Sequence, residues 1–417
     1  MMSVQLTVNR SALALACLLT LAACGGGGGG DHSHGPAPSP TPAPPSGNVG
    51  GKVLANVVRS GVAGTWGYTA PDGSRYALMG TAKGILVLDL RDTANVRVVD
   101  EIDGPTNTSS PGTYWREMRV YGQHAYIVSE QDNFRGGVMI LDLSQLPASV
   151  RYVKSFTPQD GRLTAHTIDI DTVRGLAYIQ RRNGTAVTPV QGPLYDSPGG
   201  MIFGGGALRD PGGEHGATPN VGAIEVWDLK TDPENPRYVT TFNRGRNVHD
   251  MTAVGEKVYV AEGDAHSFSI WNVSNPSAPV MEVRWSVPGN YAHNIWPSGD
   301  GTFVVTTEEV PQGLPARVWR LNGTAEPTQL SSFKVGSGTP HNVVMEGRMA
   351  YVSHYTEGAV VMDLTDPAKP NMVLRIDTNP ATGSGYAGCW GVYKFPNQPL
   401  MACSDMTTGF HLIGIGQ

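Results

Sequence analysis

The apolar residues of this chain fall into short runs rather than into the long stripes of amphipathic helices. β-Branched and aromatic residues fill these runs, and Gly, Pro, Asn and Asp separate them, which is typical of short strands joined by turns. Several runs end in an aspartate, as at residues 85–89, 138–142, 224–228 and 360–363. The pattern predicts an all-β fold, and the 53 glycines and 31 prolines of the chain suit its many turns.

The runs belong to a repeat of nearly constant length. Seven repeats begin with a tryptophan or a histidine, at Trp66, Trp115, His166, His249, His293, His341 and Trp390. Most of these positions are 44 to 51 residues apart, and the one step of 83 residues predicts an insert at 181–220. A repeat of this length with several strands in each unit is typical of a β-propeller. We therefore predict a seven-bladed β-propeller with the insert in blade three.

The final repeat contains only three predicted strands, the last of them at residues 410–415. An apolar segment near the amino terminus, residues 52–58, can supply the fourth strand. Pairing the two ends of the chain in one blade would close the ring and remove its free edges. We therefore predict a propeller domain over residues 49–417, with an amino-terminal strand that closes the last blade.

The amino terminus has the features of a bacterial lipoprotein signal peptide. A basic residue precedes an apolar run at residues 12–23, which is too short for a comfortable membrane span. The run ends in Leu21-Ala-Ala-Cys24, which resembles a lipobox, whose cysteine is acylated and becomes the first mature residue. We predict a signal peptide at 1–23, a lipid on Cys24, and a disordered Gly/Pro-rich tether at 24–48.

The chain carries a formal net charge of −6 and no run of basic residues. Such a surface argues against nucleic-acid binding and against electrostatic docking to a membrane. We therefore expect the protein to contact the membrane through its lipid anchor only. We also expect it to be a monomer. Its predicted location is the bacterial cell envelope, and Gly25 after Cys24 favours the outer membrane over the inner one.

Two cysteines, Cys389 and Cys403, lie within the last predicted hairpin. An exported protein enters an oxidising compartment, where such a pair can form a disulfide. Simple hairpin pairing places the two residues slightly out of register, however. The sequence therefore leaves both a disulfide and two free thiols open.

The repeats resemble those of LVIVD-repeat propellers, specifically the proteins known as choice-of-anchor B. The resemblance rests on the aspartate-ending strands, on the His-Asn and His-Asp starts of repeats, and on residues 115–129 and 390–409. It spans residues 61–415 and departs in the insert and at Asn272 and Arg320, which replace the aspartate that usually ends the third strand. The resemblance implies a secreted or surface-anchored propeller, and it implies no particular chemistry.

Four histidines occupy equivalent positions in repeats three to six: His166, His249, His293 and His341. Equivalent positions of a propeller converge near its axis, so we expect these imidazoles to cluster on one rim of the central channel. The ends of the second strands reach the same rim, where Glu262 and Glu308 are weaker candidates. Imidazole and carboxylate together suit a divalent transition metal such as Fe, Cu, Mn or Zn. The sequence therefore predicts these residues as candidate metal ligands.

The same histidines also have a structural interpretation. A histidine that opens an inner strand can donate a hydrogen bond to the neighbouring blade and so hold the ring together. The polar residues that follow three of them, Asp250, Asn294 and Asn342, could be structural partners or could orient the imidazoles. We expect tryptophans to fill the equivalent positions in blades seven, one and two, with Trp66 in blade one.

Two functions are compatible with these features. The first is a non-catalytic module whose propeller face binds a protein, a glycan or a small ligand outside the cytoplasm. It predicts histidines that are hydrogen-bonded to the backbone and too far apart to share one ion. The alternative is a metal-dependent oxidoreductase or hydrolase that uses the histidines as ligands and Glu262 or Glu308 as a further ligand or base. The chain contains no Gly-x-Ser-x-Gly, His-Glu-x-x-His or dinucleotide fingerprint that would favour another enzyme class.

Overall fold

The structure, a computed structural model, describes residues 47–106, 115–181, 222–383 and 385–416. Every regular element in these ranges is a β-strand, and the 28 strands form seven four-stranded sheets. Each sheet is one blade of a β-propeller, so the predicted fold and number of blades are confirmed. The described residues contain no helical segment with the length and hydropathy of a transmembrane span.

Blades one to six each contain four strands that are consecutive in the chain and pair with antiparallel neighbours. The strands of blades one to three are β2 (Val62–Thr69), β3 (Arg75–Thr81), β4 (Gly84–Asp89), β5 (Arg97–Asp103), β6 (Arg116–Tyr121), β7 (His124–Ser129), β8 (Val138–Asp142), β9 (Arg151–Phe156), β10 (Ile168–Asp171), β11 (Leu176–Arg181), β12 (Ala223–Asp228) and β13 (Arg237–Phe242). Those of blades four to six are β14 (Asp250–Val254), β15 (Lys257–Ala261), β16 (Ser267–Asn272), β17 (Val280–Ser286), β18 (Ala292–Pro297), β19 (Phe303–Glu308), β20 (Ala316–Asn322), β21 (Ala325–Phe333), β22 (Val343–Glu346), β23 (Met349–Ser353), β24 (Ala359–Asp363) and β25 (Asn371–Ile376).

Blade seven is built from both ends of the chain, as the sequence predicts. It combines β26 (Cys389–Lys394), β27 (Leu400–Asp405) and β28 (Gly409–Ile415) with the amino-terminal strand β1 (Gly51–Val57). β1 pairs antiparallel with β28, from Gly51 opposite Ile415 to Val57 opposite Phe410. This pairing covers the edge that β28 would otherwise expose.

The blades form a closed ring. The first strand of each blade packs against the first strand of the next, and β26 of blade seven packs against β2 of blade one. We call the region that these seven first strands enclose the hub. Residues that are far apart in sequence meet at the hub because each blade contributes its first strand to it.

Seven apolar clusters hold neighbouring blades together. The cluster between blades one and two, for example, packs Leu78 and Val87 against Met118 and Ile127. Both faces of a blade are covered by neighbours, so successive side chains of an inner strand are buried on alternate faces. This explains why the third strands are continuously apolar, as at residues 85–88, rather than alternating.

The aspartate that ends the third strands caps the turn that follows. Asp89 and Asp363 each accept a hydrogen bond from the backbone N–H two residues later, at 3.0 and 2.8 Å. Asn272 accepts the equivalent bond at 3.0 Å, so its substitution for aspartate preserves the turn. Such Asx turns stabilise the local backbone, and the repeated aspartate is therefore structural rather than catalytic.

Several predictions concern residues outside the described ranges. The signal peptide, Cys24 and most of the tether lie in residues 1–46, and the insert lies almost wholly in residues 182–221. Arg181, the first residue of the predicted insert, ends β11 and forms an ion pair with Asp160. The signal peptide, the lipid on Cys24, the tether and the remainder of the insert therefore stay predictions.

Candidate metal centre

The four candidate histidines meet at the hub. His166, His249 and His341 lie just before the first strands of blades three, four and six, and His293 lies within β18 of blade five. Centroids of consecutive imidazole rings are 4.3 Å apart, from His166 to His249, from His249 to His293, and from His293 to His341. None of the four is more than 4% exposed. The structure therefore brings them together as one buried arc across four blades.

A β-bulge places His293 in this arc. The register of β18 against β19 shifts between Ala292 and Asn294, so His293 is the extra residue of the strand. The register of β26 against β27 shifts in the same way around Trp390 of blade seven. Bulges are frequent beside functional sites because they bend a strand and change the direction of a side chain.

Hydrogen bonds at Nδ1 fix the tautomer of two of the rings. His249 Nδ1 donates to the carbonyl of His293 at 2.9 Å, and His341 Nδ1 donates to the carbonyl of Trp390 at 2.5 Å. A carbonyl oxygen can only accept, so Nδ1 carries the proton and Nε2 of the neutral ring carries the lone pair. The same bonds join blade four to blade five and blade six to blade seven, so they also stabilise the ring.

The other two rings have side-chain partners at Nδ1. His166 Nδ1 lies 2.5 Å from Glu130 Oε1. His293 Nδ1 lies 3.5 Å from Thr307 Oγ1, and the Thr307 hydroxyl donates to the carbonyl of His341 at 2.6 Å. Every ring of the arc is thus oriented through Nδ1, as is usual for histidines that bind metals through Nε2.

His293, Glu309 and His341, which we call the triad, form the group of the described residues that could hold a metal ion. One ligand atom of each lies within 4.8 Å of the others. Glu309 Oε2 lies 3.6 Å from His293 Nε2, and Glu309 Oε1 lies 3.8 Å from His341 Nε2. All three side chains are only 2% exposed. The triad joins blades five and six.

Burial determines the protonation of the triad. It raises the pKa of Glu309 to about 7, although the Tyr355 hydroxyl and nearby His166 act in the opposite direction. Burial also lowers the pKa of His341 well below its ordinary value. At neutral pH the His341 imidazole is therefore uncharged, with a lone pair free for a metal ion. Glu309 is protonated in only part of the molecules, so a cation would have to displace a proton from that part alone.

Aromatic side chains enclose the triad. Tyr355 donates through its hydroxyl to Glu309 Oε1 at 2.6 Å, and Tyr386 donates to the backbone carbonyl of Glu309 at 3.1 Å. The rings of Tyr355 and Trp390 lie 4.6 and 4.9 Å from that of His341, between centroids. Such packing excludes water, and electrostatic interactions with the Glu309 carboxylate are stronger where water is excluded.

Glu262, one of the weaker candidates, lies outside the triad. Its carboxylate accepts two hydrogen bonds from the Arg284 guanidinium, at 2.8 and 2.9 Å. Ser267 and Ser269 also donate to it, at 2.6 and 2.7 Å. Burial alone would raise the pKa of Glu262, but these partners lower it overall. The negative charge of Glu262 is therefore already balanced by Arg284 inside blade four.

Glu308, the other weaker candidate, also lies outside the triad, and its neighbour Glu309 occupies the expected place. Glu308 ends β19 and forms an ion pair with Arg317 of β20 at 2.9 Å. Asn290 donates to the same carboxylate at 2.7 Å. Glu309 is the first residue after β19, and its carboxylate lies beside His293 whereas that of Glu308 lies beside Arg317.

Trp66 does not occupy the position that the sequence suggested for it. Ala63, three residues earlier, packs with Trp115 and Trp390 in the apolar cluster at the hub. Trp66 lies further along β2, where the guanidinium carbon of Arg119 is 4.0 Å from its ring centroid. The small side chain of Ala63 leaves room for the parallel stack of Trp115 on Trp390, whose centroids are 5.6 Å apart.

The residues that follow the histidines tie the inner strands together. Asp250 accepts hydrogen bonds from Thr167 at 2.9 Å and from Asn294 at 2.6 Å. Asn294 Oδ1 in turn accepts the backbone N–H of Val343 at 3.1 Å. These bonds run through blades three, four, five and six, so Asp250 and Asn294 have a structural role.

The structure joins Cys389 and Cys403 in a disulfide, with their Cα atoms 6.0 Å apart. Cys389 lies opposite Asp405, whereas Cys403 lies opposite Val392, so the two cysteines are out of direct register. The disulfide links β26 to β27 next to Trp390, whose carbonyl accepts the hydrogen bond from His341.

Two stretches of the chain, residues 245–287 and 337–378, match the LVIVD repeat family. The chain contains LVIVD repeats. The first match covers His249 and all of blade four, and the second covers His341 and all of blade six. One LVIVD repeat therefore corresponds to one blade together with the segment that carries its hub histidine. No curated protein matches the chain.

Solved structures of similar fold include the WD40 repeats of RRP9, with a TM-score of 0.57 and 11% sequence identity. That similarity covers 89% of this chain and 99% of the RRP9 chain. Raptor from Chaetomium thermophilum is similar with a TM-score of 0.56 and 10% identity, over 89% of this chain and 30% of the Raptor chain. The chain thus spans less than a third of Raptor, and at these identities the similarity concerns the fold alone.

The four hub histidines form an arrangement that neither hypothesis predicted completely. The binding-module hypothesis requires hydrogen bonds to the backbone, and His249 and His341 have them. It also requires rings too far apart to share one ion, whereas neighbouring rings are 4.3 Å apart and the triad is compact. Hydrogen bonding through Nδ1 and coordination through Nε2 are compatible, so a histidine of this arc can be both structural and a ligand.

Proposed function

We propose that this chain is an exported, lipid-anchored propeller whose hub binds one divalent transition-metal ion. His293, His341 and Glu309 would be its protein ligands. The observation that supports this proposal most strongly is the compact triad, whose ligand atoms lie within 4.8 Å of one another although the residues come from two blades. Two imidazoles and one carboxylate suit Fe, Mn, Zn or Cu.

The triad has to contract moderately to hold an ion. Bonds of about 2.0–2.1 Å around tetrahedral zinc place neighbouring ligand atoms roughly 3.3 Å apart. Here His293 Nε2 lies 3.6 Å from Glu309 Oε2, and His341 Nε2 lies 3.8 Å from the other oxygen, Oε1. Since one ligand atom of each residue lies within 4.8 Å of the others, closing the triad around an ion requires a contraction of at most about 1.5 Å. Three protein ligands also leave a position for an exogenous ligand.

Metal binding by the purified chain tests this proposal. The protein is produced without an affinity tag, and His32 and His34 of the tether are replaced by glutamine in every sample to remove a weak alternative site. We expect about one Zn²⁺ or Co²⁺ per chain after gel filtration, measured by elemental analysis. His341→Ala removes a ligand and should weaken binding by at least about 100-fold, which exceeds the usual effect of indirect partners.

His124→Ala is the matched control for this experiment. His124 lies on β7 and faces Glu234 at 3.3 Å, outside the hub. The substitution should leave both the stoichiometry and the affinity of metal binding unchanged. Substoichiometric metal in the parent protein, or equal affinity of the parent and His341→Ala, would contradict a metal site at the triad.

We further propose that the propeller acts as an interaction module in the cell envelope and binds a protein, a glycan or a small ligand. The LVIVD repeats support this proposal because a ring of repeats buries its apolar faces between blades and leaves its loops for recognition. The predicted signal peptide and Cys24 support the location.

Replacing Cys24 tests the lipid anchor. In a bacterial host the parent chain should fractionate with membranes, because a diacylated cysteine provides two acyl chains for anchoring. Cys24→Ser removes the acylation site, and most of the protein should then appear in the soluble fraction, measured by immunoblotting after ultracentrifugation. An unchanged distribution between the two fractions would argue against lipidation at this residue.

A further inference from the structure

Tyr355 is held in an unusual conformation beside the triad. It lies between β23 and β24 of blade six, and its side chain is completely buried. Its backbone φ is +39°, in the left-handed region that an aromatic residue rarely adopts. A glycine would adopt this backbone without strain, so the packing of the hub has to stabilise a tyrosine there.

Neighbouring backbone fixes this conformation. The N–H of Tyr355 donates to the carbonyl of Cys389 at 3.1 Å, and the N–H of Cys389 donates to the carbonyl of Tyr355 at 3.0 Å. Cys389 also belongs to the disulfide with Cys403. Blade seven thus holds the Tyr355 backbone from one side, and strained residues that are fixed in this way are concentrated at functional sites.

The Tyr355 hydroxyl is directed at one oxygen of Glu309. It donates at 2.6 Å to Oε1, which also lies 3.8 Å from His341 Nε2, whereas the other oxygen, Oε2, lies 3.6 Å from His293 Nε2. Tyr386 also contacts Glu309, but its hydroxyl donates to the backbone carbonyl at 3.1 Å. Only the first of these two contacts controls how the carboxylate can present its oxygens.

We propose that Tyr355 is the positioning residue of the metal centre, which makes Glu309 a one-oxygen ligand through Oε2. The inference rests on the proposed function. A hydrogen bond to the second oxygen orients a ligating carboxylate and opposes two-oxygen binding. The ring of Tyr355, 4.6 Å from that of His341, fills space that phenylalanine would fill equally well, so the hydroxyl can be tested separately from the packing.

Tyr355→Phe in Co²⁺-loaded protein tests this inference, with Tyr386→Phe as the matched control. Both substitutions remove one buried hydroxyl that donates to Glu309, so they share any general loss of stability. We expect Tyr355→Phe to weaken Co²⁺ binding by about 10- to 100-fold, the usual effect of losing an orienting partner. It should also lower the intensity of the visible Co²⁺ absorption, because Glu309 can then bind through both oxygens and raise the coordination number.

Tyr386→Phe should change neither the affinity by more than about threefold nor the absorption spectrum, since its bond does not reach the carboxylate. If both variants retain the parent affinity and spectrum, or both lose them equally, Tyr355 has no positioning role. Failure of the parent protein to bind Co²⁺ would instead overturn the proposed function itself, so the two failures are distinguishable.

Discussion

Glu309→Gln is expected to make the metal-free protein more stable at pH 8 and to abolish metal binding. Burial raises the pKa of Glu309 from its ordinary 4.5 to about 7, so at pH 8 the metal-free site contains a buried carboxylate that the fold disfavours. Glutamine removes that charge and keeps the shape, which should add on the order of 2 kcal/mol to the free energy of unfolding. It also removes the anionic ligand, so tight metal binding should be lost.

The pH dependence of the metal-free parent follows from the same shift. A folded-state pKa above the unfolded-state value means that the folded protein binds more protons between about pH 4.5 and 7. The stabilising contribution of Glu309 is therefore complete below pH 4.5 and is lost as the pH rises through about 7. Burial also raises the pKa of Glu117 to about 7, and this contribution is the same in parent and variant. The difference between the two proteins should thus grow from pH 5 to pH 8.

Urea unfolding in the presence of EDTA at pH 5 and pH 8 measures this difference. Glu262→Gln is the control, because Glu262 is paired with Arg284 and its pKa is lowered. It should destabilise the protein at pH 8 and leave metal binding intact. A Glu309→Gln protein that is less stable than the parent at pH 8, or that still binds metal tightly, would show that Glu309 is a structural partner and not a ligand.

Deleting residues 47–58 is expected to have the largest effect on stability. The deletion removes β1, whose pairing with β28 completes blade seven, and with it the packing of Leu54 and Val57 against the cluster between blades seven and one. The lost hydrogen bonds and buried area should amount to about 5 kcal/mol or more, a large part of the stability of an ordinary domain. We expect loss of cooperative thermal unfolding and aggregation through the exposed edge of β28.

Thermal unfolding and gel filtration of the truncated chain measure this effect. Deletion of residues 25–46, which removes most of the predicted tether and keeps β1, is the control and should leave the melting temperature unchanged. A synthetic peptide of residues 47–58 added in trans should restore part of the lost stability. Closure by the amino-terminal strand would be refuted if the truncated chain melted like the parent.

The fold could be predicted from the sequence because a propeller repeats its local signals. The aspartates at 89, 142, 228 and 363 end one strand in each of four blades, and their Asx turns are encoded within a few residues. The convergence of the histidines followed from the period, since equivalent positions of a closed ring meet at its axis. Closure by residues 52–58 followed from the missing strand of the last repeat.

The composition of the triad could not be predicted in the same way. Glu308 and Glu309 are adjacent in sequence, and only the folded chain shows that the first faces Arg317 and the second faces His293. A bulge at His293 also shifts the register of β18 against β19 by one residue. A second register shift, between Val62 and Thr65, separates Trp66 from the position that Ala63 occupies. Spacing along the chain does not reveal such bulges.

Tyr355 and Tyr386 gave no signal in the sequence. They reach Glu309 from loops that follow the second strand of blade six and precede blade seven, and their separations from it are 46 and 77 residues. Only the three-dimensional ring places these hydroxyls beside a carboxylate of blade five. A positive φ at a tyrosine is likewise a property of the folded chain rather than of a local motif.

An anomalous difference map from crystals of Co²⁺- or Zn²⁺-loaded protein tests the metal centre most directly. Our account predicts one strong peak at the hub, about 2.0–2.2 Å from His293 Nε2, His341 Nε2 and one oxygen of Glu309. A fully occupied ion elsewhere with no peak between these three side chains, or a hub without any peak in loaded crystals, would contradict it.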